Sequence, residues 1–207
     1  MAAGPSWFFG FDSFMEFIAF VIAIGIANQA LKGYHLSKER TLLYLNISFV
    51  LIGAGLLVDG LSSFIVFLAH ARRAFVFLFG VGYTINFLAQ LVAYGLLVFA
   101  YIHQARNVSG PALAAAMPIL FFERNAVSEL ILIFLLVYIA TQTGINYSIN
   151  KSTNSLLVFG AFAALSLAHV FFLIFTVAPI FFPFAQITQL LGFLLLLVML
   201  LRVNRTS

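Results

Sequence analysis

The chain has 207 residues, of which 64% are hydrophobic and 8% charged, with a net charge of +4 and 26 phenylalanines. A soluble domain carries about 25% charged residues, so this composition excludes a chain that covers itself against water, and its expected solvent is lipid. With no cysteine, disulfides, thiolate ligands and thiol chemistry are excluded as well.

In a soluble protein the positive balance could point to nucleic acid. Here the basic residues stand mostly in loops between apolar runs, where membrane topology puts them, and no basic run has interleaved aromatics. Nucleic acid is therefore excluded as a partner. The apolar runs exceed the roughly 18–20 residues that cross about 30 Å of hydrocarbon. Lipid offers the backbone no hydrogen-bond partner, so the runs are expected to be helices. Alternation with a period of two is too weak for a β-barrel.

In chain order, Met1 to Phe11 reads as an interfacial lead with Trp7 and Phe8 at headgroup level. No Lys or Arg precedes Lys32, so the first helix is expected to stay in the mature protein. Ser13 and Glu16 fit a capping box, which starts the first helix at Ser13 and carries it to Leu31. The loop Lys32–Arg40 follows, then a second helix over Thr41–Leu68, the turn His70–Arg73 and a third helix over Ala74–His103. Gly110-Pro111 is a strong helix stop. The short apolar segment Ala112–Phe122 comes next. Asn125 and Glu129 repeat the capping arrangement before a fifth helix over Ala126–Thr143. A sixth helix is expected over Ser155–Thr176, and a last one over Ala185–Leu201 after a proline-marked turn.

Two stretches align without a gap. Glu16–Lys38 reads EFIAFVIAIGIANQALKGYHLSK and Glu129–Lys151 reads ELILIFLLVYIATQTGINYSINK, so that Glu16 matches Glu129, Gln29 matches Gln142, Tyr34 matches Tyr147 and Lys38 matches Lys151. Polar coincidences in so apolar a chain point to an internal repeat. A second echo pairs Gln90–Leu97 with Gln189–Leu196.

The segment Ala112–Phe122 decides how the copies are related. If it crosses the bilayer, Lys32, Lys38, Arg40, Arg106, Lys151, Arg202 and Arg205 share one side, and only Arg72, Arg73 and Arg124 the other. If it does not, the two sides balance. Positive residues favour the inner side, so the crossing is preferred. The expected fold is thus an all-α polytopic membrane protein of seven helices in a 3+1+3 parallel pseudo-repeat, with the N-terminus outside and the C-terminus inside. It forms one transmembrane domain over 1–207, with repeat 1 at 13–104, the linking helix at 110–122 and repeat 2 at 125–202. The layout is similar to that of seven-helix sugar transporters in arrangement alone, since their proline-glutamine loop signature is absent. The glycosylation acceptors at Asn107, Asn146, Asn150 and Asn204 all fall inside in this layout.

An ionisable group at depth costs about 2.5–3.5 kcal/mol on insertion scales, so each needs a reason. Asp59 lies in the second helix on a stripe with Ser48, Gly55 and Ser62, and His169 lies in the sixth at about the same depth. Two readings stand. The pair forms a proton-coupled site, or Asp59 lies near enough the outer surface to reach headgroups or Arg72 and Arg73 while His169 makes a packing hydrogen bond. Tyr83, Asn86, Gln90, Tyr94 and Tyr101 form one face of the third helix, echoed by Gln186 and Gln189 in the last. These groups either line a path for a polar solute or bond helix to helix. Gly53, Gly55, Gly80 and Gly82 offer surfaces for close helix approach within the bundle or in a dimer.

No two of the four histidines share a depth suited to haem, and no lysine lies in the last helix for a retinal Schiff base. His-x-x-x-His and G-x-S-x-G motifs are absent. The expectation is a non-enzyme without cofactor or metal, in the cell membrane, with the lipid bilayer as partner and other membrane subunits or a homodimer as further candidates. The function expected is translocation of a small polar solute or proton through the bundle. The alternative is a non-catalytic accessory subunit of a larger membrane complex. A third option is a sensor read at its inner loops.

Overall fold

The computed structural model describes residues 6–69, 72–104 and 126–206, and among these it is helical apart from short turns, with no strand. The helices are α1 (Ser6–Ser37), α2 (Arg40–Ala69), α3 (Arg72–Gln104), α4 (Ala126–Asn150), α5 (Thr153–Phe175) and α6 (Phe182–Thr206), with a 3₁₀ turn over Pro179–Phe181. All six are long and apolar enough to cross a bilayer. This is compatible with a polytopic membrane protein, with six such helices, rather than seven, among the described residues. The expected linking helix at 110–122 lies outside them, as do His70, Arg106 and Glu123–Asn125.

Helix α1 is longer at both ends than its sequence pattern predicts. It starts at Ser6 rather than Ser13, so Glu16 sits ten residues inside it and the capping box is not formed. Nothing between Ser6 and Ser13 breaks a helix, and the aromatic lead gains by packing. Phe8 lies 4.3 Å from the Phe182 ring and 5.8 Å from that of Phe175. The hydroxyl of Ser13 donates instead to the carbonyl of Gly60 on α2 at 2.9 Å.

At its other end α1 runs through Gly33 and Tyr34 and stops at Lys38, whose φ is 59°. Helix α4 likewise runs on past Thr143 and stops at Lys151, with φ 49°. In both, the lysine N–H donates to the tyrosine carbonyl four residues back at 2.8 Å, the left-handed cap that relieves an orphan carbonyl. Each ammonium also sits over that tyrosine's ring, at 5.8 Å for Lys38 and 5.4 Å for Lys151. Lysine normally avoids this backbone region at a cost of about 1–2 kcal/mol. The ring contact offsets part of that.

Among the described residues the backbone of each helix approaches only those of its neighbours in chain order, and α6 closes against α1. The six therefore form a ring. Pairwise bonds fix their directions. Along α1 and α6, Asp12 meets Gln186 and Gln29 meets Asn204, so these two are parallel. Ser13 meets Gly60 whereas Ala27 meets Asn46, so α2 is antiparallel to α1. Asp59 meets Asn86 and Ser48 meets Ala93, so α3 returns to the direction of α1. On the other side, α5 opposes α6 and α4 opposes α5: Phe172 packs on Phe182 and Leu165 on Gly192, while Glu129 meets His169 and Phe159 meets Gly144. Hence α3 and α4, consecutive in the structure, run the same way.

Small residues let the ring close. Ala19, Ala23, Ala27 and Ala30 are all at most 2% exposed along the inner stripe of α1, the small-residue spacing that brings helices together in lipid. Gly55 serves the α2–α3 contact: a Cβ there would lie 2.9 Å from Ala89 Cβ and 3.0 Å from the backbone Cα of Asn86. Gly95 on α3 faces open space, with nothing within 4 Å. Gly55→Ala should lower stability by about 1–3 kcal/mol through overpacking, whereas Gly95→Ala should raise it by up to about 1 kcal/mol through helix propensity. Thermal melts of the two variants in one detergent check both signs.

Candidate functional site

The polar side chains that must avoid lipid collect at one level of the ring, near the starts of α1, α4 and α6. All six helices contribute to a cavity there, with Glu16 from α1, Leu56 from α2, Asn86 and Gln90 from α3, Glu129 from α4, His169 from α5 and Gln186 and Gln189 from α6. Its volume is about 10 Å³, roughly the room one water needs. Toward the far end of the ring the interior is apolar, with Phe49 of α2 and Phe193 of α6 meeting edge to face across the centre at 5.5 Å. At the near end Phe172, a wall of the cavity, also belongs to a cluster with Phe8, Phe11, Phe175 and Phe182. An apolar plug lies on one side and aromatic rings on the other.

Two hydrogen-bonded chains meet at this cavity. In the first, His169 Nδ1 lies 2.8 Å from Glu129 Oε2, and the Tyr83 hydroxyl reaches Glu129 Oε1 at 3.4 Å and Ser128 Oγ at 2.5 Å. A hydrogen bridges His169 and Glu129, and the pair's protonation, one proton or two, sets the role of the far ring nitrogen. With an ionised Glu129 and Nδ1–H, Nε2 is an acceptor; with a protonated Glu129, Nε2 carries the hydrogen. In the second chain, Asn86 Nδ2 donates to Asp59 Oδ2 at 3.0 Å and Gln90 Nε2 donates to Asn86 Oδ1 at 3.0 Å.

Each residue singled out from the sequence has a definite place. Tyr83, Asn86, Gln90, Gln186, Gln189 and His169 are buried and line the cavity. Tyr94 is fully buried beside it, its ring edge-on to His169 with centroids 6.2 Å apart. Asp59 is 2% exposed and stands behind Asn86, outside the cavity lining. The carboxylate paired with His169 is Glu129, not Asp59. His169 and Asp59 belong to different chains of hydrogen bonds whose ends face the same small space.

Three residues were read too modestly. Glu16 and Glu129 match each other in the aligned stretches, and a capping role accounted for both; each is 2% exposed and lines the cavity. Asp12, not singled out at all, accepts from Ser63 Oγ at 2.9 Å and Gln186 Nε2 at 2.9 Å. The available signal was the rarity of acids in so apolar a chain: four of the six, Asp12, Glu16, Asp59 and Glu129, are buried. No Lys or Arg is buried among the described residues. Compared with protein-family models, curated proteins and solved structures, the chain matches none.

The His169–Glu129 pair should behave as a unit. His169→Leu or Glu129→Leu each leaves a buried polar partner unmet and should cost about 1–3 kcal/mol. The double variant should cost clearly less than the two together, measured by denaturation of the purified variants in detergent.

Proposed function

We propose that the protein translocates a small polar solute or a proton through the centre of the helix ring. The observation that carries this reading is the cavity built from all six helices, with ionisable groups on three of its walls. A membrane-inserted acid or base costs about 2.5–3.5 kcal/mol, whereas an interhelical hydrogen bond returns about 0.6 kcal/mol. Packing alone is a poor reason to keep four carboxyl groups and a histidine in one layer. The size of the cavity favours the small end of the solute range. The plug at Phe49 and Phe193 closes it on one side, as a transporter occluding its cargo requires. The protein in this reading is not an enzyme and works in the cell membrane.

The same proposal includes a seventh span within 105–125 and two parallel halves, α1–α3 and α4–α6, related by an axis along the membrane normal. Supporting it are the like directions of the halves, the matching lysine caps at Lys38 and Lys151, and the charge bias that puts the N-terminus outside and the C-terminus inside. Because the native chain has no cysteine, single-cysteine variants report without background. Lys38→Cys and Lys151→Cys should both react with a membrane-impermeant maleimide from the inner face only; reaction from opposite faces would reject the parallel halves.

For the activity itself, purified protein in liposomes should raise proton entry, read by a trapped pH dye, or glycerol entry, read by swelling, above the rate of empty liposomes. Glu129→Gln should cut that rate at least about tenfold, as for loss of a group essential to the step. Rates equal to those of empty liposomes, with the protein always purifying alongside other membrane subunits, would favour the accessory role instead.

A further inference from the structure

Each of the two hydrogen-bonded chains ends on a cavity residue that keeps one polar atom without a partner among the described residues. Asn86 Nδ2 donates to Asp59 Oδ2, and Gln90 Nε2 donates to Asn86 Oδ1. Gln90 therefore has its amide donor engaged and its carbonyl oxygen left over. That oxygen is buried with no hydrogen-bond partner, in a residue 6% exposed that lines the cavity. His169 has Nδ1 engaged, 2.8 Å from Glu129 Oε2. Its Nε2 is likewise buried with no partner, in a residue 3% exposed that lines the same cavity. Buried polar atoms are rarely left unmet. The cavity of about 10 Å³ has room for one water, and a water needs two or more polar partners.

A water held there has one task at Gln90 and two at His169. The Gln90 carbonyl can only accept, so the water gives it one O–H at all times. While Nδ1 carries the ring's single hydrogen, Nε2 accepts the other O–H. Once Nε2 is protonated it donates, and the water turns a lone pair toward it. The same two protein atoms thus hold the water before and after a proton enters the ring. Histidine suits this, because one nitrogen can stay on Glu129 while the other gains or loses a proton. An amide at this position would serve for packing but could not take the proton up.

We propose that the species translocated is the proton, and that His169 Nε2 is the atom that loads it, from a water held on Gln90. This deepens the translocation reading, and rests on it for the proton's passage though not for its binding. In loading, an excess proton on the cavity water passes to Nε2: an O–H bond of the hydronium breaks, an Nε2–H bond forms, and a neutral water remains. The hydrogen bridging Nδ1 and Glu129 stays between them. Unloading is the same step reversed. The titratable groups around the imidazole are Glu129 of α4, Tyr94 of α3 with its ring edge-on, Tyr83 of α3 through Glu129, and Glu16 of α1 on the cavity wall. Asp59 of α2 and Asp12 of α1 stand behind Asn86 and Gln186. Helix α6 brings only the amides Gln186 and Gln189 to the cavity, and α5 has no other titratable group.

The test reads the ring nitrogens directly. Full-length protein carrying nitrogen-labelled histidine gives NMR signals that separate a bare ring nitrogen from an N–H, and the His169 signals are those that survive in each of His35→Gln, His70→Gln and His103→Gln. As pH falls, Nε2 of His169 should pass from bare to N–H, along the same pH curve as proton entry into liposomes. His169→Gln should cut proton entry at least about tenfold. Gln90→Leu, which removes the acceptor that holds the water, should slow it about tenfold in a protein whose His169 still titrates. Glycerol entry should stay at the rate of empty liposomes. The spectra use the native His169, so they decide even if His169→Gln does not fold. A ring whose protonation never changes with pH, or proton entry untouched by both His169→Gln and Gln90→Leu, would overturn the proposal. Glycerol entry without proton entry would sink proton loading and leave translocation standing. An Nε2 that titrates in a protein passing neither would sink translocation and leave the loading site.

Discussion

Hydrocarbon offers a polar side chain nothing to bond to, and the ring of six helices is the arrangement that answers this constraint. Asp12, Glu16, Asp59, Asn86, Gln90, Glu129, His169, Gln186 and Gln189 are all at most 6% exposed, while Phe14, Val21, Phe134 and Ile187 face outward. A bundle packed around a central helix would spread these polar groups over several interfaces. A ring gathers them toward one axis, where they bond across the seams between neighbouring helices.

The interior is divided along its length. The half beyond Phe49 and Phe193 is filled by aliphatic and aromatic side chains such as Ile26, Leu97, Ile139 and Leu196, and it holds the ring together by close packing. The other half contains the acids, amides and imidazole. This division separates the polar end of the ring from the close-packed end that closes it. The alanine stripe of α1 and the glycines at α2–α3 and α5–α6 bring the walls near enough for single side chains to reach across.

Within the polar half the acids have two kinds of task. Glu16 and Glu129 face the space, and Glu129 shares a proton with His169. Asp12 and Asp59 stand behind amides and decide which end of each amide looks inward. A hydrogen bond between neutral groups can run in either direction, but one anchored on a carboxylate cannot. That anchoring gives a small cavity a defined polarity, the property on which selection between an anion, a neutral solute and a cation depends.

The sequence by itself determined the solvent, the secondary structure and the inward face of α3, because each follows from composition or from a spacing within one segment. An apolar run of twenty or more residues in lipid has only the helix open to it, and Tyr83, Asn86, Gln90 and Tyr94 share a face by arithmetic alone. The start of α1 was misjudged because a serine and a glutamate three residues apart look the same at a helix end and in its middle, and only the packing of Phe8 on Phe182 tells them apart. Only the tertiary structure decided that His169 meets Glu129 rather than Asp59. Helical rise gives depth but not azimuth, and partners in a ring are chosen by the angle at which each helix presents its side chains to its neighbours. That angle is set by the alanines and glycines that fix how closely the helices approach, a property of pairs of helices that no single stretch of sequence contains.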